Sequence, residues 1–433
     1  MEQNYMDTVS KFHIPKRITQ ICNAIRDAGG TVYITGGAVR DHLLHNNPKD
    51  IDIEVHCLEP DKLDALLHSF GNVKAVGKSF GIWKLKQYIA EFNNEEIELD
   101  ITIPQIESQP APHIGIVEAC KRRDLRINAI VYDVCTEEFI DPHNGIEDIQ
   151  QKILRATDET EFARDPLRVF RVAQFAGRFE FSVAPALEQL CQSIDVSKIA
   201  VERVFLELNK AFLKSQNPSI AFHVLHRTGA LTRYFTNPPL YTKDNIERIP
   251  MLFDRIPRFM QDNAQIYGLD TFENDRLEAW KIALFWSVLL HNHSPEEKEA
   301  IFDQLKTKRY ANFSLVDAVI ASSNHQPALS MSTNTIAQNF ASTEISVRFL
   351  CIYAHILAPE GHAMHNLEQA IQRDIADKPI PALLQGTDIQ HLVSQPKHIG
   401  QTLKHVRHLQ LQDSIHTAKE ALQIAKEYIS TIV

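Results

Sequence analysis

Two aspartates one residue apart, Asp50 and Asp52, open the run DIDIEV in a chain of 433 residues. On a β-strand, residues two apart face the same way, with roughly 6.5–7 Å between their Cα atoms. Carboxylates paired at that spacing can hold one or two Mg2+ ions through oxygen ligands. Ions so held stabilise both the attacking and the leaving oxygen of a phosphoryl transfer. Upstream stands GGAVRD (36–41). A Gly36-Gly37 pair between a strand and a helix lets backbone N–H groups approach phosphate oxygens, and the helix N-terminus favours an anion. Arg40, one step into that helix, is placed to clamp the same phosphates. The stretch from Gly37 to Asp50 is long enough for one helix returning to an adjacent strand, which sets cradle and carboxylates at one end of one sheet. Taken alone, an exposed acidic strand end behind an ordinary turn reads the same way. Glu98 and Asp100 form a second same-face pair and a source for a third carboxylate.

The elements that must position these groups follow from periodicity. Residues 12–30 read as a helix ending at Gly29-Gly30, TVYIT (31–35) as a strand, and RDHLLH as the start of a helix. After Pro48, DIDIEV alternates in strand fashion. DKLDALLHSF is helical, and GIWKLKQYIAEF and EEIELDITI read as strands paired around Asn93-Asn94. A further strand, AIVYDV (129–134), closes the mixed region. From about residue 150 the texture is helical: FARDPLRVFRVAQFAGRF, VERVFLELNKAFL and PSIAFHVLHRTGAL carry apolar residues at spacings of three and four. The last 200 residues are also helical, with breaks at NPPLYTKDN, HNHSPEE and DKPIPALLQGTD. No internal repeat or low-complexity tract interrupts them. The expected class is α+β. An N-terminal helix (1–30) precedes a mixed-sheet catalytic head (31–140), and an elongated all-α neck (141–235) leads to a helical body and tail (236–433).

Composition narrows the setting. Hydrophobic residues at 44% and charged residues at 23% are ordinary for a globular chain, and the length calls for more than one core. No apolar run approaches the roughly 20 residues that span a bilayer. The N-terminus MEQNYMDTVSKFHIPKR has no apolar signal core, so a cytoplasmic protein is expected. Six cysteines (Cys22, Cys57, Cys120, Cys135, Cys191, Cys351) without a CxxC pair speak against structural zinc and for reduced thiols. A net charge of −10 does not advertise a nucleic-acid partner, although a local basic surface suffices for one. Lys210, Lys214, Arg227 and Arg233 cluster in sequence as candidate phosphate contacts, and a solvated helix face would show the same residues.

Taken together, GGAVRD, KDIDIEV and KRRDLRINAIVYD (121–133) resemble the catalytic core of class II tRNA nucleotidyltransferases and bacterial poly(A) polymerases. DPHNGIEDI (141–149), DPLRVFRVAQFAGRF (165–179) and VERVFLELNKAF (201–212) extend the resemblance over roughly residues 30–230. It implies a nucleotidyltransferase-type head and addition of CCA, or part of it, to the 3′ end of tRNA from CTP and ATP. By similarity, Gly37 and Arg40 bind triphosphate, and Asp50 and Asp52 ligate Mg2+ while a 3′-hydroxyl attacks the α-phosphate. Arg123, Asp124 and Asn128 fall on a motif that contacts the nucleotide, including its ribose hydroxyls. Asp165 and Arg168, expected as neighbours on one helix face, would read the base. A carboxylate accepts from the exocyclic amine of C or A, and a guanidinium donates to the ring acceptors beside it. Arg171, one turn on, is a further nucleotide contact, and Gln174 stands where the family commonly has another arginine.

Two departures qualify the match. Arg164 occupies the place of a usual glutamate before Asp165, and its pairing with Asp165 is expected. The segment PQIESQPAPHIGIVEACK is shorter than the family's flexible one, as in enzymes that add only the two cytidines, so CC addition stands as an alternative. A poly(A) polymerase is disfavoured by the mixed-charge C-terminal helix HTAKEALQIAKEYISTIV. A catalytically altered RNA-binding homologue is disfavoured by the intact Asp50, Asp52 and Asp124. WKIALFWSVLLHNHSPEE (280–297) resembles a phosphohydrolase position, but His291 is followed by Asn292 rather than aspartate. A structural histidine near a helix end is expected there.

Overall fold

The computed structural model describes residues 12–46, 51–76, 81–89, 95–107, 109–241, 246–325, 345–372, 374–377, 381–393, 395–411 and 414–432. The chain divides into two compact units, Met1–Ile199 with Val224–Arg233, and Ala200–His223 with Tyr234–Val433.

The first unit is built on a seven-stranded mixed sheet. Its strands are β1 (Thr31–Thr35), β2 (Asp52–His56), β3 (Val73–Ala75), β4 (Ile82–Ile89), β5 (Glu95–Thr102), β6 (Val131–Asp133) and β7 (Glu138–Ile140), in the order β3-β4-β5-β2-β1-β6-β7. β2 runs parallel to β5 and antiparallel to β1. Alternation along the strands sorts the residues into two faces. Val32, Ile34, Ile53, Val55, Trp83, Leu85, Leu99 and Ile101 point one way and are buried.

Helices α1 (Lys16–Asp27) and α3 (Pro60–His68) cover that apolar face. α1 begins after Pro15, which cannot donate to a helix. It turns Ile18, Ile21, Cys22 and Ile25 inward at helical spacing. Trp83 Nε1 donates to Asp64 Oδ1 at 2.8 Å and ties β4 to α3. The opposite face carries Thr35, Asp52, Glu54, Lys84, Glu98 and Asp100, and it is the polar face on which the candidate site lies. The expected turn at Asn93-Asn94 lies outside the described residues.

Helix α2 (Gly37–Leu43) follows β1 directly. After α4 (Ile116–Lys121) come a single 3-10 turn, Arg126–Asn128, and then α5 (Gly145–Gln151), α6 (Glu159–Ala163) and α7 (Arg168–Phe179). Gly145 packs so tightly on the 3-10 turn that a Cβ would overlap the Arg126 carbonyl, and Asp141 holds the Gly145 and Ile146 N–H groups at 2.8 Å each.

Among its described residues, the regular elements of the second unit are helices apart from the short strand pair Arg309–Tyr310 and Phe313–Ser314. Helix Asn274–Leu289 is buried around nearly its whole circumference from Ala279 to Leu289, as a central core helix must be. Phe212, Phe253 and Phe285 pack edge-on or tilted against one another around it. A separate apolar cluster, including Leu384, Ile389, Val406 and Ala421, unites the C-terminal helices Pro396–Leu411 and Ala418–Ile432. No helix among the described residues is long and apolar enough to cross a membrane.

Candidate active site

The polar face of the sheet is organised where β1 ends. Gly36 has φ +66°, a left-handed backbone that favours glycine, and it starts α2. A Cβ on Gly36 would lie 3.1 Å from Asp52 Oδ2 and 3.7 Å from Arg123 Nη1. A carboxylate from β2 and a guanidinium from the 123 turn therefore both meet the glycine turn. Asp52 stands opposite Thr35 on one side and in parallel register with Asp100 on the other.

Asp100 Oδ1 is buried without a hydrogen bond, with Lys84 Nζ as a counter-charge 3.3 Å away. Lys84 also bonds Glu98 at 2.6 Å, so the Glu98 and Asp100 pair shares one face as expected. Asp50 lies outside the described residues. Among the described residues no group of three or more His, Cys, Asp or Glu is assembled for a metal ion. The Asp52 carboxylate beside Gly36 is a hard oxygen donor, the type that suits a divalent cation such as Mg2+, whereas the neighbouring Asp100 carboxylate is paired with Lys84.

Glu54, two residues beyond Asp52, was not among the expected site residues. Its Oε1 bonds His56 Nε2 at 3.0 Å and its Oε2 accepts from Arg123 Nη2 at 3.0 Å. Burial alone would raise the Glu54 carboxyl, but the His56 hydrogen bond and the Arg123 charge hold it below the usual range. Glu54 thus aims Arg123 at the glycine turn. The period-two spacing from Asp52 was the available signal.

Asp124 and Asn128 are buried and form a linked pair. Asp124 Oδ1 accepts from the Leu125 N–H and from Asn128 Nδ2, both at 2.8 Å, and its Oδ2 accepts from Arg171 Nε at 2.7 Å. Burial would raise the Asp124 carboxyl; Arg171, Asn128 and the Leu125 N–H outweigh it and keep the carboxyl low. Asn128 Oδ1 in turn accepts from Arg40 Nη1 at 2.6 Å.

Arg40 is only 4% exposed. Its Nε and Nη2 donate to Asp41 Oδ1 at 2.9 and 2.7 Å, and its guanidinium lies over the rings of Phe175 and Phe179. The structure therefore turns Arg40 inward, behind the glycine turn, where its donors serve neighbouring side chains.

The base-reading pair is arranged differently from the expectation. Asp165 precedes Pro166, which disfavours helical backbone at the residue before it, so α7 starts only at Arg168. Asp165 is thus in the entry loop, where its Oδ1 accepts from the Leu167 N–H at 3.2 Å and its carbonyl from the Arg168 N–H at 3.0 Å. Arg168 donates through Nη1 to the Glu161 carbonyl at 2.8 Å and through Nη2 to the Arg122 carbonyl at 2.7 Å. Arg164 departs from its expected pairing with Asp165. It reaches back one turn to Glu161 Oε1 at 3.2 Å, the geometry of an i,i+3 pair. Gln174 is buried within α7.

The sequence cluster of basic residues separates between the units. Lys210 pairs with Glu207 at 2.9 Å, and Lys214 caps the helix Val201–Leu213. Arg227 pairs with Glu188 at 3.0 Å. Arg233 is engaged by the carbonyls of Ile194, Cys191, Thr228 and Gly229, which makes it a structural clamp. His291 follows its helix end, is half-buried and bonds the Tyr353 hydroxyl at 2.8 Å, with burial lowering its pKa.

A family model described as Poly A polymerase head domain matches residues 32–155. A Multifunctional CCA protein of Mannheimia succiniciproducens is 37% identical over 219 residues, covering 48% of this chain and 50% of that protein. The chain spans about half the length of the curated relatives it matches. The Bacillus stearothermophilus CCA-adding enzyme in complex with CTP superimposes with a TM-score of 0.72 at 20% identity, over 96% of this chain and 98% of that one. The Thermotoga maritima CCA-adding enzyme complexed with tRNA_CCA gives 0.63 at 20%, over 100% and 98%. Asp52, Gly36 and Arg123 meet on the polar face within residues 32–155, the region that resembles a poly A polymerase head domain, and the chain has the fold of the CCA-adding enzymes.

Proposed function

We propose that this chain is a template-independent nucleotidyltransferase that adds CCA to the 3′ end of tRNA from CTP and ATP. The observation that carries the reading is the meeting of Asp52, the Gly36 turn and Arg123 inside a domain of this family. Asp50 and Asp52 would hold Mg2+, with Asp100 as a third candidate. When bound, the ion neutralises charge on the reacting phosphate and on the oxygens exchanged there. The Gly36-Gly37 backbone and Arg123 bind the triphosphate, while Arg40 keeps the turn in shape from behind. The tRNA 3′-hydroxyl attacks the α-phosphorus and gives up its proton to solvent, a new P–O bond forms, and pyrophosphate leaves with the electrons of the broken bond. No covalent enzyme intermediate is required, so positioning and charge neutralisation carry the rate.

Asp124 and Asn128 face the ribose in this reading, and Arg171 orients Asp124. Asp165 accepts from the exocyclic amine of C or A, and Arg168, steadied by two carbonyls, donates to the ring acceptors. G and U lack that amine, and each unmade contact costs about 1–3 kcal/mol. Lys210, Lys214 and Arg227 are candidate contacts to tRNA phosphates, which would make binding weaken with salt. The six free thiols suit a reducing cytoplasm.

The test is incubation with labelled CTP or ATP, Mg2+ and tRNA lacking its 3′ end, followed by sequencing of the product ends. CCA ends are expected. Two cytidines without adenosine would restrict the activity to CC addition, long A tails would make the chain a poly(A) polymerase, and no incorporation would refute transfer.

A further inference from the structure

Six side chains close a ring that begins and ends on helix α7. From Arg171, the bonds run to Asp124 Oδ2 at 2.7 Å, from Asp124 Oδ1 to Asn128 at 2.8 Å, and from Asn128 Oδ1 to Arg40 at 2.6 Å. Arg40 continues to Asp41 Oδ1, and Asp41 Oδ2 accepts from Arg178 Nη2 at 2.9 Å. Arg171 and Arg178 are seven residues apart, hence two turns along one face of the same helix. Along the same stretch α7 presents Phe175 and Phe179, stacked on each other at 5.9 Å. Arg40 sits over both rings, Arg171 over Phe175 and Arg178 over Phe179. Two of these links hold α7, Arg171 to Asp124 on the 124–128 turn and Arg178 to Asp41 on α2, and Arg40 on Asn128 ties the two anchors together, so the helix can neither slide nor rotate without breaking charge-assisted bonds.

Nothing in the chemistry of transfer calls for Asp41 or Arg178. Their place in the ring is mechanical. Asp41 accepts from two arginines at once, and Arg178 closes the far end of a helix whose near end carries Arg168 and Arg171.

We propose that Asp41 and Arg178 are positioning residues that lock the register of α7, and through it the aim of Arg168 at the incoming base and of Arg171 at Asp124. The proposal rests on the nucleotidyltransferase reading of the site. It locates base choice in the whole clamped helix rather than in Asp165 and Arg168 alone. Opening the ring at its far end lets the helix shift, and a shift smooths the difference between a base with the exocyclic amine and one without it.

The test uses the full chain with Arg178→Met, which keeps an unbranched stem against Phe179 and removes the charge, and Arg178→Lys, which keeps the charge. CTP and UTP affinities are measured by calorimetry in the absence of tRNA, alongside their incorporation into tRNA and the thermal midpoint. In Arg178→Met the CTP-over-UTP preference should fall on the order of tenfold, the size of a coupling between contacting side chains. Arg178→Lys should restore much of it. Asp41→Asn should act as Arg178→Met does, and the double variant should be no worse than either single one.

Unchanged preference in a folded Arg178→Met overturns the proposal, as does equal loss in Arg178→Lys, because charge would then be irrelevant. A wild-type chain that binds CTP and UTP alike also overturns it, since no base choice exists to be positioned. A wild-type chain that discriminates in binding yet extends no tRNA refutes the transfer reading and leaves the clamp supported by the binding ratios.

Discussion

The two units hold contrasting examples of buried titratable groups. In the first, two buried carboxyls meet arginines: Asp124 faces Arg171, and Glu54 faces Arg123 and His56, while the half-buried Asp41 faces Arg40 and Arg178. The carboxyls of Asp124 and Glu54 are accordingly held low despite burial. In the second unit burial prevails. Lys298 is fully buried and its pKa falls to about 8. His291 and His355 are both pushed down by burial as well. A charge stays charged where partners hold it in a defined direction, which is what a site for an anionic substrate requires. Where burial outweighs the partners present, the interior drives the group toward neutrality.

The comparison can be broken most severely at Asp52. Asp52→Asn removes the charge at the glycine turn, and CTP incorporation should fall at least about a thousandfold, as loss of several kcal/mol of transition-state stabilisation implies. Binding of tRNA, read by filter retention, should survive; turnover near wild type would remove Asp52 from the site.

Next comes the partnered charge in the first unit. Asp124→Ala strands Arg171 and should cost about 3 kcal/mol in urea denaturation, the low end for a broken buried pair, because Arg171 is 34% exposed. A loss below about 1 kcal/mol would mean that the ring carries little of the stability.

Lys298 sharpens the contrast through pH. Its folded pKa of about 8 lies below the ordinary 10.5, so between those values the unfolded chain binds the extra proton and stability rises with pH. Read as wild type minus Lys298→Met, so that the buried thiols and other titrating groups cancel, the gain should be on the order of 2–3 kcal/mol. A difference that stays flat over that window would contradict the burial argument.

The smallest effect is expected on the acid side. For His291 and His355 the unfolded state gains protons first, so their contribution is complete above the ordinary histidine pKa and declines as pH falls through it. The contributions of Asp124 and Glu54 persist until pH falls toward their lowered folded values. Hydrogen exchange at pH 7.5 and 5.5 should therefore show loosening around His291 and His355 and steady protection around Asp124. Equal loosening at both places would erase the distinction.

Local chemistry in the chain already carried the sheet and its polarity. TVYIT, the run at 52–56 and the two long strands of β4 and β5 alternate, and alternation forces one oily face and one acidic face whatever the neighbours are. The glycine turn and the carboxylate at Asp52 were likewise legible, because each depends on residues a few positions apart. The inward turn of Arg40, the escape of Arg164 to Glu161, the late start of α7 after Pro166 and the aim of Arg123 by Glu54 were not. The clearest case is Asp41 and Arg178, which bond across 137 positions. Periodicity records which way a side chain faces its own element, and it holds no record of what a distant element brings opposite. Only folding decides which guanidinium reaches which carboxylate, because that choice is made by burial and by the geometry of contact.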